Sequence, residues 1–168
     1  KRREVYATTG SRISVRFFGG WDFPKTIVNA PNFEELAYQM GVPMGGDLSD
    51  FEGATPSFIF SAFRDPTGAN LDRVQIIKGW LDKYGKAHER IYDVAWAGAR
   101  DINSNNGKLP PVGSTVNFDD ATYDNSIGEN YLSGIWIDPD FDPELLSFYY
   151  CRVIEIPRPR WTLKDSVF

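Results

Sequence analysis

Alternation of apolar and polar side chains predicts strands along most of the chain. In residues 12–18, Ile13, Val15 and Phe17 fall on one side of an extended backbone and polar residues fall on the other. This period of two is typical of a strand with one buried face. Alternation and β-favouring composition predict further strands at residues 4–9, 56–64, 72–80, 89–97, 112–118, 131–138 and 147–156.

Residues 32–40 have the one clear helical pattern. Asn32 is suited to cap this helix, and Gly41 is suited to end it. The apolar side chains recur at helical spacing and share one face, formed by Phe33, Leu36, Ala37 and Met40.

The connections between these segments indicate the fold class. Residues 65–68 have the chemistry of a turn, so the strands at 56–64 and 72–80 are predicted to pair as a hairpin with a longer loop. Residues 98–130 form a long, irregular connection that is either a functional loop or a cover for another domain. Regularly spaced strands with turns between them predict a mainly β fold, an antiparallel β-sandwich of immunoglobulin-like general architecture with one short helix and long irregular loops. We expect residues 1–168 to form a single β-rich domain.

The core of the strand at 89–97 is predicted to consist of Ile91, Val94 and Trp96. Cys151 lies in the strand predicted at 147–156, where a buried, inert thiol is the expectation rather than a nucleophile.

Charge narrows the range of partners. The chain carries 23 acidic and 18 basic side chains, for a net charge of −5. Nucleic acid is therefore not expected as a partner, because its binding needs a basic surface. The apolar segments are only as long as strands, so the sequence predicts no membrane partner either.

Few residues are suited to catalysis or metal binding. His88 is the one histidine and lies in a charged stretch, which predicts an exposed loop position. A Ser-His-Asp triad or a histidine-rich metal site therefore finds little support. Residues 138–144 place carboxylates at alternate positions, which suggests either part of a calcium loop or a rigid, proline-containing turn. The weak calcium candidates are Asp138, Asp140, Asp142 and Glu144.

Two further features allow a binding role. Tryptophan side chains could form a sugar-binding face, although packing in the core is the usual role of a tryptophan in a strand; these residues are Trp21, Trp80, Trp96, Trp136 and Trp161. Residues 41–48 are rich in Gly and Pro, which suits either an ordinary turn or an edge that faces an active site.

Several stretches in order resemble one known family. They lie at residues 3–10, 42–48, 65–80, 92–96, 138–143, 148–157 and 159–162. Together they resemble the C-terminal part of domain of unknown function family 3604, a bacterial family. That family in turn resembles metal-dependent hydrolases of the polymerase-and-histidinol-phosphatase (PHP) type.

The resemblance implies a longer parent protein. It implies an upstream catalytic barrel that holds a divalent metal and hydrolyses a substrate such as a phosphoester, with residues 1–10 as the exit segment from that barrel. The metal-binding histidines of the family match no position here, so no catalytic residue and no cofactor are expected in residues 1–168. The implied partner is the upstream domain of the same protein, and a periplasmic or secreted parent is compatible with this picture. The predicted domain interface consists of Tyr6, Thr8, Thr9, Met44, Gly45, Gly46 and Asp47.

Three functional hypotheses remain open at this point. The first is a non-catalytic accessory β domain of a metal-dependent hydrolase, which predicts an exposed apolar patch where the barrel would pack. The second is a glycan- or protein-binding module, which predicts a line of exposed aromatic rings. The third is an enzyme complete within residues 1–168, for which two carboxylates could suffice in glycoside hydrolysis.

Overall fold

The computed structural model describes residues 3–49 and 53–167 and shows two antiparallel sheets. The strands are β1 (Ser14–Gly20), β2 (Val42–Pro43), β3 (Ser57–Phe63), β4 (Leu71–Leu81), β5 (Ala87–Trp96), β6 (Tyr131–Ile137) and β7 (Ser147–Glu155). The helices are α1 (Phe33–Met40) and α2 (Trp161–Val167), and a 3₁₀ turn spans Ile27–Asn29. The first sheet has the order β2-β1-β3-β6, and the second has the order β5-β4-β7.

The two sheets face each other across an apolar core, so the predicted antiparallel β-sandwich is confirmed. Phe17, Phe58 and Phe60 from the four-stranded sheet pack with Val74 and Ile76 from the three-stranded sheet. The rings of Phe17 and Phe58 are stacked with centroids 5.5 Å apart. Burial of these side chains is the main stabilising contribution to the fold, at roughly 1.5–3 kcal/mol for each large apolar side chain.

A second apolar cluster lies on the other face of the four-stranded sheet, under α1. Phe18 and Ile59 point away from the sandwich core and pack with Phe23, Ile27 and Ala37. Because both faces are covered, six of the seven residues of β3 are buried. This double burial explains why β3 reads as a nearly continuous apolar run rather than as a strict alternation.

The helix α1 begins and ends close to the predicted positions, but its caps differ from the prediction. Asn32 makes no side-chain capping hydrogen bond, because its backbone (φ −104°, ψ 37°) is not in the extended conformation that aims the side chain at the first-turn amides. Gly41 does follow the last helical residue. Met40 is exposed, so only the rest of the predicted apolar face packs on the sheet.

Two predicted strands are absent, and three elements were not predicted. Residues 4–9 are irregular, and within residues 112–118 only Asn117 forms an isolated bridge, to Thr122. The sequence pattern did not predict α2, β2 or the 3₁₀ turn. All three are short, and short elements carry little periodic signal.

The predicted hairpin between β3 and β4 is wrong. β3 pairs with β1 and β6, while β4 pairs with β5 and β7, so the two strands lie in different sheets. Residues 64–70 connect the sheets and are fixed by Arg64, whose Nη1 donates hydrogen bonds to the carbonyl oxygens of Asp65, Pro66 and Gly68.

A β-bulge changes which residues of β5 face the core. The register shifts between Val74 and Gln75 of β4, so that Val74 lies opposite Ala95 and Gln75 lies opposite Asp93. Val94 packs against the core as predicted, whereas Ile91 is on the outer face and exposed. The prediction for Ile91 is wrong because its neighbour Tyr92 lies opposite the core residue Ile76 and takes the inward position, so that alternation turns Ile91 outward.

The long connection at residues 98–130 is held against one end of the sandwich by polar side chains. Asn70 donates hydrogen bonds to the carbonyl oxygens of Asn125 (3.1 Å) and Ile127 (2.9 Å). Arg100 donates to the carbonyl oxygen of Pro110 (2.9 Å) and forms an ion pair with Asp72 (2.7 Å). These contacts satisfy backbone groups that a regular strand would satisfy by pairing.

Candidate functional site

The sandwich is closed on one side and open on the other. On the closed side, β5 and β6 meet through the rings of Tyr92 and Trp136, whose centroids are 4.7 Å apart. On the open side, which lies between β1 and β2 of one sheet and β7 of the other, two adjoining grooves run along the molecule. This open side is the candidate functional surface, because an apolar groove is a common place for a ligand or a partner segment.

The short groove has a volume of about 580 Å³ and lies between residues 6–9 and residues 150–156. Its floor contains Ile13, Val15 and Met44. The long groove, of about 860 Å³, continues past residues 42–49 towards Phe141 and Phe148. Residues 5–7 of the N-terminal segment, residues 3–10, line the long groove, and Tyr6 and Ala7 line both.

The structure brings together the two predicted interface segments. Arg3 forms an ion pair with Asp47 (2.9 Å), and the backbone of Arg3 passes close to Gly45. Gly45 has a positive φ of 77°, and a Cβ atom there would overlap the carbonyl oxygen of Arg3, so only glycine fits. Most of the predicted interface residues are exposed, namely Tyr6, Thr8, Thr9, Gly45, Gly46 and Asp47, whereas Met44 is half-buried.

Exposed apolar side chains border the open side. Val5 is 76% exposed, Leu146 is 87% exposed and Phe148 is 62% exposed. The rings of Phe148 and Tyr150 are stacked, with centroids 6.4 Å apart and an angle of 11° between their planes. Such large exposed apolar side chains, grouped beside a groove, are typical of a surface that contacts another molecule or domain.

A buried polar cluster lies at one end of the core. Lys78 Nζ lies 2.6 Å from Asp138 Oδ2 and donates to the carbonyl oxygen of Asp140 (2.6 Å). Tyr149 donates its hydroxyl proton to Asp138 Oδ2 (2.7 Å), and the backbone N–H of Asp140 donates to Asp138 Oδ1 (2.9 Å). Tyr92 and Arg90 both donate to Asp140 Oδ2.

The cluster keeps two phenol groups protonated. Burial, reinforced by the hydrogen bond to Asp138, raises the pKa of Tyr149 well above its usual range. Burial and the hydrogen bond to Asp140 raise the pKa of Tyr92 in the same way. Both phenols therefore act as hydrogen-bond donors, and the carboxylates act as acceptors for cations and hydroxyl groups of the protein.

When the chain is compared with known protein families, one family matches it over its whole length. The profile of a family described as protein of unknown function (DUF3604) matches residues 1–168. The chain belongs to the DUF3604 family. Comparisons with curated proteins and with solved structures found no match.

The four calcium candidates of this DUF3604 chain do not converge on one point. Asp138 and Asp140 are bound by Lys78, Tyr149, Arg90 and Tyr92 as described above, and Asp142 accepts the backbone N–H of Glu144 (2.9 Å). Among the residues that the structure describes, no group of three or more His, Cys, Asp or Glu side chains is placed to hold a metal ion. The rigid-turn interpretation of residues 138–144 agrees better with these contacts.

His88 of the DUF3604 chain lies in β5 and is half-buried, so the predicted exposed loop position is wrong. Its Nε2 is 2.8 Å from Asp82 Oδ2, and its ring stacks on Trp80 at 5.3 Å. The hydrogen bond with His88 is the largest of the contacts that lower the pKa of Asp82. This pair ties the β4–β5 turn to the strand that follows it.

The tryptophans and the cysteine of the DUF3604 chain serve mainly in packing. Trp136 packs on Phe58 at 5.8 Å, and Trp96 donates its indole N–H to the carbonyl oxygen of Arg100 (2.6 Å). Trp161 is exposed on α2, away from the others in the sequence. Desolvation raises the pKa of Cys151 to about 12, which fits a poorly reactive thiol, although Cys151 is half-buried rather than buried and lines both grooves.

Sequence reasoning missed Lys78, the central residue of the buried cluster. A signal was present, because Val74, Ile76 and Lys78 have the period of one strand face and two of them are apolar. A lysine at an inward position requires a buried partner, but the period does not say which one. No helix in the described part of the DUF3604 chain is long and apolar enough to span a bilayer.

Proposed function

We propose that this chain is a non-catalytic accessory β domain at the C-terminal end of a longer bacterial protein, and that the rest of that protein is a PHP-type, metal-dependent hydrolase. The open side of the sandwich packs against the upstream catalytic domain. The observation that carries the proposal is the exposed apolar border of the grooves, formed by Val5, Leu146 and Phe148. An accessory domain needs such a surface, because packing against a barrel stabilises the contact chiefly by burying apolar area.

The polar side chains best suited to chemistry support a structural role. Lys78 and Asp138 neutralise each other inside the core, and His88 is bound to Asp82. A catalytic group must reach a substrate, and these groups are engaged with the protein instead. Following the resemblance to PHP-type hydrolases, we assign the divalent metal and the hydrolytic residues to the upstream domain, with a phosphoester as the substrate class.

The test compares the longer protein with residues 1–168. We expect bound divalent metal, measured by inductively coupled plasma mass spectrometry, only in the longer protein. We likewise expect hydrolysis of p-nitrophenyl phosphate or bis(p-nitrophenyl) phosphate only there. Stoichiometric metal or turnover in residues 1–168 alone would contradict the proposal.

Packing between the two domains is tested separately by limited proteolysis of the longer protein. Leu146→Glu and Phe148→Glu introduce a charge into the border, so we expect faster cleavage between the domains. Tyr84→Glu is the matched control, because Tyr84 is 83% exposed at the β4–β5 turn. Equal cleavage rates in all three variants and the unaltered protein would count against the interface.

The stacked pair of Phe148 and Tyr150 favours a second candidate, a glycan-binding module. Exposed parallel rings can stack against the apolar face of a sugar, as in other recognition surfaces built on aromatic side chains. Binding of oligosaccharides on an array, lost in Phe148→Ala, would support this function over packing against a barrel.

A further inference from the structure

β7 is a sheet edge whose outer side has no partner strand in residues 3–49 and 53–167. Within these ranges it pairs with β4 alone, over Ser147–Glu155. Among the described residues, the backbone of β7 forms no hydrogen bond with the N-terminal segment across the groove. The outward N–H and C=O groups of β7 therefore face the open side, where they can pair with another extended backbone.

The other strand edges are protected in ways that β7 is not. β5 carries Glu89, Arg90 and Asp93, and its side of the sandwich is closed by the contact with β6. β2 is only two residues long and contains Pro43. Charge, shortness and proline are all devices that prevent strand pairing. β7, by contrast, is nine residues long and has Arg152 as its one charged residue before Glu155.

The short groove has the shape that an added strand needs. It lies beside residues 150–155 of β7 and Ile156, and is bounded on the far side by residues 6–9. A strand paired with β7 would point alternate side chains down at Ile13, Val15 and Met44, and would point the others towards the outer face near Tyr150. The occupant must therefore be apolar at alternate positions.

The positive charge of Arg152 determines which outward side chains the added strand should carry. Arg152 is held in place by Gln75, whose Oε1 accepts hydrogen bonds from Nε (2.9 Å) and Nη2 (2.7 Å) of Arg152. The guanidinium is exposed beside the middle of the free edge. A cross-strand neighbour that is acidic or aromatic would be stabilised there, and a basic neighbour would be disfavoured.

We infer that β7 accepts an extended segment of the upstream domain as an additional strand, with apolar side chains at alternate positions and an acidic or aromatic side chain beside Arg152. The assignment of this occupant rests on the proposed function. It is favoured because the N-terminal segment lies along these grooves. Arg3 is fixed to Asp47, and Tyr6 and Ala7 line both grooves. Strand addition of this kind derives its affinity from backbone hydrogen bonds and its specificity from alternate side chains.

Hydrogen exchange followed by mass spectrometry tests the inference. We expect the backbone amides of residues 147–155 to exchange at least tenfold more slowly in the longer protein than in residues 1–168. Arg152→Glu in the longer protein should reverse a large part of that protection. Lys83→Glu is the control, because it makes the same change of charge at the exposed β4–β5 turn.

The possible results separate this inference from the proposed function. If Leu146 and its neighbours become protected in the longer protein but the amides of β7 do not, strand addition is overturned and the accessory role stands. If residues 1–168 alone form a dimer by sedimentation velocity with a protected β7, the occupant is a second copy and the inference is wrong. The metal and hydrolysis measurements test the accessory role itself, and their results do not depend on hydrogen exchange at β7.

Discussion

Lys78 is a charged residue at an inward position of the central strand β4, and its side chain is only 3% exposed. Removing an ammonium group and a carboxylate from water costs several kcal/mol each. Here the cost is offset by the contact with Asp138, by the carbonyl oxygen of Asp140 and by the hydroxyl of Tyr149. The rings of Trp80 and Tyr149 lie 5.5 and 5.8 Å from Nζ and add a favourable electrostatic contribution.

Lys78→Met should destabilise the protein strongly, because it leaves the Asp138 carboxylate buried without its cation. The expected loss in the free energy of unfolding is about 3–5 kcal/mol, measured by urea denaturation at pH 7. Lys83→Met, at an exposed turn, should change that free energy by no more than about 0.5 kcal/mol. The double variant Lys78→Met/Asp138→Leu should recover part of the loss, and equal stability of the two single variants would contradict this account.

Because of Asp65, we expect the stability of the protein to depend on pH below pH 4. Its carboxylate accepts hydrogen bonds from the backbone N–H of Arg12 (2.8 Å) and from the N–H and hydroxyl of Thr67, and these contacts lower its pKa from 3.8 to about 2. The folded pKa is below the unfolded one, so the stabilisation is complete above pH 3.8 and is lost as the pH falls through about 2. We expect an NMR titration midpoint near 2 for Asp65.

Asp65→Asn provides the comparison for that titration. Its stability deficit relative to the unaltered protein should be largest above pH 4 and should shrink towards pH 2, when measured by chemical denaturation at each pH. A deficit that is constant across this range would show that the carboxylate charge does not contribute.

At the scale of single residues, the sequence predicted which face a side chain is on better than it predicted which residues that side chain contacts. Cys151 packs against the core as its apolar neighbours suggested, because periodicity reports which face a side chain is on, but it is only partly buried. The partners of Asp138 and His88 were not predictable. Lys78 is 60 positions before Asp138, and no local pattern encodes a contact of that separation.

At the scale of elements, the strands could be predicted but their pairing could not. The positions of β1, β3, β4, β5, β6 and β7 follow from alternation and turn chemistry. Alternation shows which face of a strand is buried but not which strands pair with each other. The prediction therefore wrongly paired β3 with β4, the next strand along the chain. Residues 4–9 have a β-favouring composition but no partner strand in the structure, and composition alone does not make a strand.

The end of α1 approaches β1 so closely that Gly41 cannot be replaced without movement of the backbone. A Cβ atom at Gly41 would overlap the carbonyl oxygen of Gly19 and the ring of Phe23. Gly41→Ala should therefore lower the free energy of unfolding by about 1–3 kcal/mol in thermal or urea denaturation. Met40→Ala, one residue earlier and exposed, should cost less, and the reverse order of the two variants would refute the close packing.

At the scale of the whole molecule, the exposed apolar border should be detectable in residues 1–168 by a hydrophobic dye. We expect 8-anilinonaphthalene-1-sulfonate to fluoresce on binding, and Leu146→Glu and Phe148→Glu to reduce that fluorescence without changing the unfolding transition. Tyr84→Glu should leave the fluorescence nearly unchanged. Equal reduction in all three variants would place the dye elsewhere. The candidate surface was foreseen only in part, because Tyr6, Thr8, Thr9 and residues 44–47 were predicted to meet a partner but β7 was not.

The order of the strands along the chain affects how the protein folds while the ribosome synthesises it. The first sheet takes β1, β2, β3 and β6, and the second takes β4, β5 and β7, so neither sheet is complete until the last third of the chain has emerged. Until then, Phe58, Phe60 and Ile76 have no finished core to enter. We therefore expect folding to begin only after β7 has left the exit tunnel, with a slow rate set by distant strand pairs and a dependence on chaperones that protect the nascent chain.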